Sequence, residues 1–147
     1  MKKKNSNKKI IKAFSLSICI VVSIIIIYEL GVPKYTDTLK ANWTYTLPKT
    51  RNIVEITNSR GGLNGDGESI YELYYKDNKD IENLKNYFEW VNGTDILNYI
   101  PNDTADFIKP TLSNNAMYFY NRKNTSDFIV FKLDLDKNKL TVYESYS

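Results

Sequence analysis

The residues best suited to chemistry lie in a glycine-rich segment, Gly61 to Glu68. Asn64, Asp66 and Glu68 alternate there with small residues, and oxygen ligands of this kind suit a hard cation such as calcium. The segment lacks the glycine and glutamate spacing of an EF-hand and the Gly-Lys-Ser/Thr ending of a phosphate loop. Three readings stay open: a turn, a surface for a partner, or a metal or anion site. The metal candidates are Asn64, Asp66 and Glu68.

A pair of carboxylates is the second possibility. Glu55 and Glu72 lie on two strands that we expect to pair, and two acids about 5–10 Å apart can hydrolyse a glycoside. The Asp134-x-Asp136-x-Asn138 spacing resembles a calcium loop, but a hairpin turn explains it as well. The chain has no histidine, and its one cysteine, Cys19, lies in an apolar run. We therefore assign no catalytic residue, expect no cofactor, and favour a protein that is not an enzyme.

The glycine-rich segment also carries a resemblance. Gly-Gly-Leu-Asn-Gly-Asp-Gly-Glu is similar to a Gly-Gly-Phe-His-Gly-Asp-Gly-Glu segment found in small uncharacterised membrane-anchored or secreted proteins of low-GC Gram-positive bacteria. Asn64 stands where that pattern has histidine, so a role of that histidine does not transfer. The resemblance implies a location and a type of domain, and it implies no activity.

The N-terminal residues predict a membrane anchor. Six lysines, the last of them Lys12, precede an apolar run from Ala13 to Tyr28, which is typical of a signal anchor with a cytoplasmic N-terminus. We expect a cytoplasmic basic segment at 1–12, a transmembrane signal anchor at 13–32, a membrane-proximal stalk at 33–50 and an extracytoplasmic domain at 51–147. The alternatives are a cleaved signal peptide and a helix buried in a soluble domain, although no small-x-small cleavage site follows the run.

The pattern beyond residue 50 predicts an α+β domain. Strand compositions occur at 52–57, 69–76, 116–121, 128–135 and 139–146. A helical stripe runs between Asp77 and Val91, with a short second helix at 95–100. After the N-terminal transmembrane helix, we expect one mostly antiparallel sheet of about five strands in the order β-β-α-(α)-β-β-β. One face of this sheet would pack against one or two helices.

Charge and composition narrow the class of partner. Residues 33–147 hold fourteen basic and sixteen acidic residues, mixed along the chain, which argues against nucleic acid. The expected partners are the membrane, through the anchor, and a protein or glycan of the cell envelope. The predicted function is a binding or protective module at the envelope. The alternatives are a carboxylate enzyme acting on cell-wall carbohydrate and a metal-stabilised module.

Overall fold

The computed structural model describes residues 17–22, 34–61 and 65–147. The chain divides into two units, Met1–Thr46 and Leu47–Ser147. In the first unit, residues 17–22 are helical and exposed, and a second helix, α1, spans Tyr35–Trp43. Thr44 ends α1 in the left-handed conformation with φ 63°, and its backbone N–H donates to the Lys40 carbonyl. The segment predicted as a stalk, 33–50, thus contains a helix.

The predicted membrane anchor is corrected by the structure. Most of 13–32 lies outside the described residues, apart from 17–22. A helix that crosses a bilayer needs about 20 consecutive apolar residues, and no helix within the described ranges is long and apolar enough to do so. This finding contradicts the transmembrane helix, the signal anchor and the single-pass membrane location. The predicted location of residues 51–147 outside the cell depended on this anchor and is no longer supported.

The second unit is built on a six-stranded antiparallel sheet in the order β1-β2-β6-β5-β4-β3. The strands are β1 Asn52–Asn58, β2 Gly67–Tyr74, β3 Val91–Asn92, β4 Ala116–Arg122, β5 Phe128–Asp134 and β6 Lys139–Tyr146. β4 pairs with β5, β5 pairs with β6, and β6 pairs with β2.

Four helical segments follow or interrupt these strands. They are α2 Asn78–Tyr87, a 3-10 helix η1 Gly93–Asn98, α3 Asn102–Ile108 and a 3-10 helix η2 Lys109–Thr111. Asp77 occupies the N-cap position of α2. The helix ends at Tyr87 because Phe88 is extended, with φ −121° and ψ 154°. The apolar stripe continues to Val91, but Val91 belongs to β3.

The predicted fold class is wrong in its strand count as well as in its membrane helix. The sixth strand, β3, pairs Val91 with Tyr118 and Asn92 with Met117. It contains two residues, and Val91 also satisfies the helical spacing of the preceding stripe. Two residues carry no alternating pattern of their own, so only pairing with β4 identifies them as a strand.

One sheet face, called here the Phe131 face, consists of Phe131 and the residues that alternate with it and lie opposite it. Leu133, Leu140 and Val142 are fully buried on this face. Phe88, just after α2, packs its ring 5.0 Å from Phe131 between centroids. The chain that follows α2 therefore helps to cover this face.

The opposite face, called here the Val130 face, is also buried. Val130 and Tyr118 have 0 % exposure there. They join one apolar cluster with Ile96 from η1 and Ile108 from α3. We expected helices to bury one face only, and that expectation is wrong. Alternation along β5 separates two faces, but the segments that cover each face come from elsewhere in the chain.

Candidate functional site

The predicted metal ligands do not form a cluster where the structure describes them. Asn64 lies outside the described residues, while Asp66 and Glu68 are both exposed. Within the described ranges there is no group of three or more His, Cys, Asp or Glu residues that could hold a metal ion. The metal site at Asn64, Asp66 and Glu68 therefore stays a prediction.

The two arms of the glycine-rich connection extend the β1–β2 pairing. The Ser59 N–H donates to the Glu68 carbonyl at 2.8 Å, and the Gly61 N–H donates to the Asp66 carbonyl at 3.3 Å. Gly67 has φ 135°, and a Cβ placed on it would lie 2.7 Å from the Ser59 carbonyl oxygen. Only glycine tolerates both the backbone angle and this approach. The turn therefore accounts for Gly67.

The predicted pair of carboxylates is separated by the sheet. Glu55 lies opposite Tyr71, whereas Glu72 lies opposite Val54. Residues directly opposite each other share a face, so Glu55 is on the Phe131 face and Glu72 is on the Val130 face. The two acids cannot act together on one glycosidic bond.

Glu55 is held as an anion on β1. The Tyr71 hydroxyl donates to Glu55 Oε2 at 2.6 Å, and Asn58 Nδ2 donates to the same oxygen at 3.2 Å. These bonds, that from Tyr71 first, lower the pKa of Glu55. Burial, followed by the bond to Glu55, raises the pKa of Tyr71 to about 12. Glu55 is therefore an oriented negative charge on an exposed strand.

Glu72 is engaged by its own neighbours. Lys139 Nζ lies 2.5 Å from Glu72 Oε1, and the Tyr74 hydroxyl donates to Oε2 at 2.6 Å. Burial acts to raise the pKa of Glu72, but these two hydrogen bonds and the charge of Lys139 outweigh it and lower the pKa. The arrangement is that of a satisfied ion pair on the Val130 face.

A buried charge pair that the sequence did not reveal joins the glycine-rich connection to β6. Glu144 has 0 % exposure, and Arg60 Nη2 lies 2.9 Å from its Oε2. Ser69 Oγ donates to Oε2 at 3.3 Å, and the Tyr146 hydroxyl donates to Oε1 at 2.9 Å. The Arg60 guanidinium also stacks 3.9 Å from the Tyr146 ring centroid. In the sequence, nothing distinguishes Glu144 from the other acidic residues. Its burial becomes evident only when β2 pairs with β6.

Several tyrosines of the strands and their ends are internal. Of the tyrosines expected on strands, Tyr118 has 0 % exposure, and Tyr75 and Tyr143 have 4 % each. Burial raises the pKa of all three hydroxyls, as expected for phenols removed from water. These rings belong to the packed interior, not to an open recognition face.

The open edge of the sheet is the feature best placed to bind a partner. β1 comes first in the sheet order, so no described strand lies on its outer side. It is mostly exposed, and Ile56 shows 55 % of its surface. A break in register between Glu55 and Thr57 places Ile56 in a bulge. Asn52 to Glu55 therefore forms the regular part of this edge, and Arg51 immediately precedes it.

A cleft adjoins the start of this edge. Its volume is about 330 Å³, and Arg51, Asn52, Val54 and Tyr74 line it. Arg51 is exposed, and no acid in the described part of the chain forms an ion pair with it. The cleft thus combines a cation, an aliphatic side chain and an aromatic ring beside the outer edge of β1.

Comparison with known proteins yields no relative. No family model matches the chain, and neither a curated protein nor a solved structure matches it.

Proposed function

We propose that this chain is a protein-binding module that takes an extended segment of a partner along the outer edge of β1. The observation that carries this proposal is the exposed strand from Asn52 to Asn58, with described sheet on one side only. An edge strand presents a row of backbone N–H and C=O groups that an added strand can satisfy. Strand addition of this kind is a common mode of peptide recognition.

The side chains around the edge supply selectivity. In strand addition the backbone provides affinity, and pockets for alternate side chains provide specificity. The cleft lined by Val54 and Tyr74 offers such a pocket for an apolar side chain. Arg51 at its rim favours a carboxylate in the incoming segment, because a guanidinium binds a carboxylate with two hydrogen bonds. The preferred ligand is an extended segment that combines apolar residues with an acid.

The carboxylate enzyme draws no support from the same region. It rested on Glu55 and Glu72, which occupy opposite faces of the sheet. Each acid already accepts hydrogen bonds from neighbouring side chains, Tyr71 in one case and Tyr74 in the other. A binding role uses β1 without asking these groups to transfer protons.

An NMR titration tests the proposal. The probe is a short synthetic peptide of alternating Val and Thr with one central Glu, added to the nitrogen-15-labelled full chain. We expect amide shift changes concentrated in residues 51–58, and weaker binding when the central Glu of the peptide is replaced by Gln. The variant Arg51→Ala should lose this preference for Glu.

The matched control is Lys79→Ala, which removes an exposed cation from α2 and should leave both binding and preference unchanged. Shift changes spread over other strands, or none with this peptide at high concentration, would count against strand addition at β1.

A further inference from the structure

We infer that the segment accepted by β1 is β1 of a second copy, paired antiparallel in a register centred on Ile53. This inference rests on the proposed function, because it names the partner of the same edge. A two-fold interface of this kind uses one surface patch on both copies. It would continue the sheet of one copy into the sheet of the other.

The charges on the edge select this register. When Ile53 faces Ile53 of the second copy, Arg51 lies opposite the partner's Glu55, and the two-fold axis repeats the pair. Opposite charges at directly facing positions of antiparallel strands stabilise the pairing. A register shifted by one or two residues places Arg51 against an uncharged side chain. The edge is therefore self-complementary in one antiparallel register.

The side chains of Arg51 and Glu55 are both exposed and can make such a contact. Arg51 is exposed and forms no ion pair with the described acids. Glu55 is exposed as well, and hydrogen bonds from Tyr71 and Asn58 orient its carboxylate. A fixed anion thus ends the regular part of β1, and a cation without a described ion pair immediately precedes this strand.

The bulge sets the length of the paired segment. The register of β1 against β2 is regular from Asn52 to Glu55 and breaks before Thr57. Strand pairing between copies consequently lies within Asn52 to Glu55 and stops at Ile56, with the Arg51 side chain immediately before it. In this register Asn52 lies opposite the partner's Val54, and both residues line the cleft. The clefts of the two copies would therefore adjoin at the seam.

Charge reversal and mixing test the inference on the full chain. Sedimentation over a wide concentration range should show a dimer of the unmodified protein. Arg51→Glu or Glu55→Arg alone should weaken self-association about tenfold or more, because each places like charges opposite each other twice. An equimolar mixture of the two variants should form a heterodimer with affinity close to that of the unmodified protein, since opposite charges again face each other. Lys79→Glu on α2 is the control and should dimerise normally.

Several outcomes overturn self-pairing. They are an unmodified chain that stays monomeric, a dimer that neither reversal weakens, and a mixture that stays dissociated. Thermal unfolding of each variant separates a lost fold from a lost contact, and the mixture rescues only the contact. The NMR titration distinguishes the two proposals. A monomer whose residues 51–58 still respond to the acidic peptide keeps the binding function and loses self-pairing, whereas a monomer without that response loses both.

Discussion

Arg60 and Glu144 form an ion pair of 2.9 Å in which the carboxylate is fully buried and the guanidinium stacks on Tyr146. Arg60 belongs to the connection after β1, and Glu144 belongs to β6, two strands away in the sheet. This pair ties the connection to the sheet. Removing one partner of such a pair leaves a charge that is cut off from water.

Arg60→Ala should therefore destabilise the protein by about 2–4 kcal/mol, which urea unfolding would measure. Ser69 and Tyr146 still donate to Glu144, so the loss should stay below that of an unsupported buried charge. The control is Lys85→Ala, which breaks the exposed Lys85–Glu82 pair on α2 and should cost less than about 1 kcal/mol. Equal losses of stability in the two variants would show that the buried ion pair stabilises the protein no more than the exposed pair does.

The glycines of the β1–β2 connection should differ in their tolerance of a side chain. Gly67→Ala places a Cβ 2.7 Å from a backbone oxygen at φ 135°, and we expect a loss of about 2–3 kcal/mol. Gly65 has φ 69° with open space around it, and asparagine tolerates that angle. Gly65→Asn should therefore cost less than about 1 kcal/mol. Thermal unfolding of the two variants would compare them, and a tolerated Gly67→Ala would refute the close approach.

Neighbouring residues of β5 should both matter to stability. Ile129 and Val130 have 0 % exposure and point to opposite faces. Ile129→Ala should cost about 3 kcal/mol and Val130→Ala about 2 kcal/mol, because each leaves a cavity in a packed layer. A sheet with one solvated face would lose stability only at Ile129. Chemical denaturation would decide, with Thr57→Ala on exposed β1 as the control expected to change little.

The ionisation of Tyr71 should depend on Glu55. The pKa of Tyr71 is raised from 10.0 to about 12, first by burial and then by the hydrogen bond and charge of Glu55. Between these pH values the unfolded phenol has lost its proton while the folded phenol keeps it, so the unfolded state binds fewer protons. The contribution of Tyr71 to stability is thus complete below pH 10 and is lost as the pH rises through about 12.

Glu55→Gln should lower the pKa of Tyr71 toward its ordinary value, since the hydrogen bond to a carboxylate and its charge are lost while burial and the weaker influence of Glu144 remain to raise it. Ultraviolet absorbance of tyrosinate, taken as the difference from the Tyr71→Phe variant, would measure this shift. Glu82→Gln on α2 serves as the control, with no change expected. An unchanged titration in Glu55→Gln would show that Glu55 does not contribute to the raised pKa of Tyr71.

The local sequence pattern predicted those strands and helices that depend on neighbouring residues. Alternation from Phe128 to Leu135 located β5 and separated its two faces, because side chains on a strand point alternately. The strand at 139–146 coincides with β6. The helical stripe found α2 but extended it past Tyr87, since nothing in the spacing shows that Phe88 turns extended.

Local sequence pattern did not predict the arrangement of the candidate sites. Glu55 and Glu72 lie on neighbouring strands as expected, yet a register that differs by one residue puts them on opposite faces. The Arg60–Glu144 pair joins distant segments of the chain, and no local spacing predicts it. The predicted anchor is contradicted for a different reason, because no helix in the part of the chain that the structure describes is long and apolar enough to cross a membrane.

The sequence by itself determined the positions of the longer strands, the turn residues between β1 and β2, and the lack of histidine and cysteine chemistry in the sheet unit. Tertiary structure alone decided which strands are neighbours, that both sheet faces are buried, and that Arg51 and Glu55 lie at an edge with no described strand beyond it. The physical reason is the separation along the chain of the residues that each effect joins. Backbone preference and alternation act between adjacent residues, whereas register, burial and ion pairing depend on segments that meet only after the chain folds.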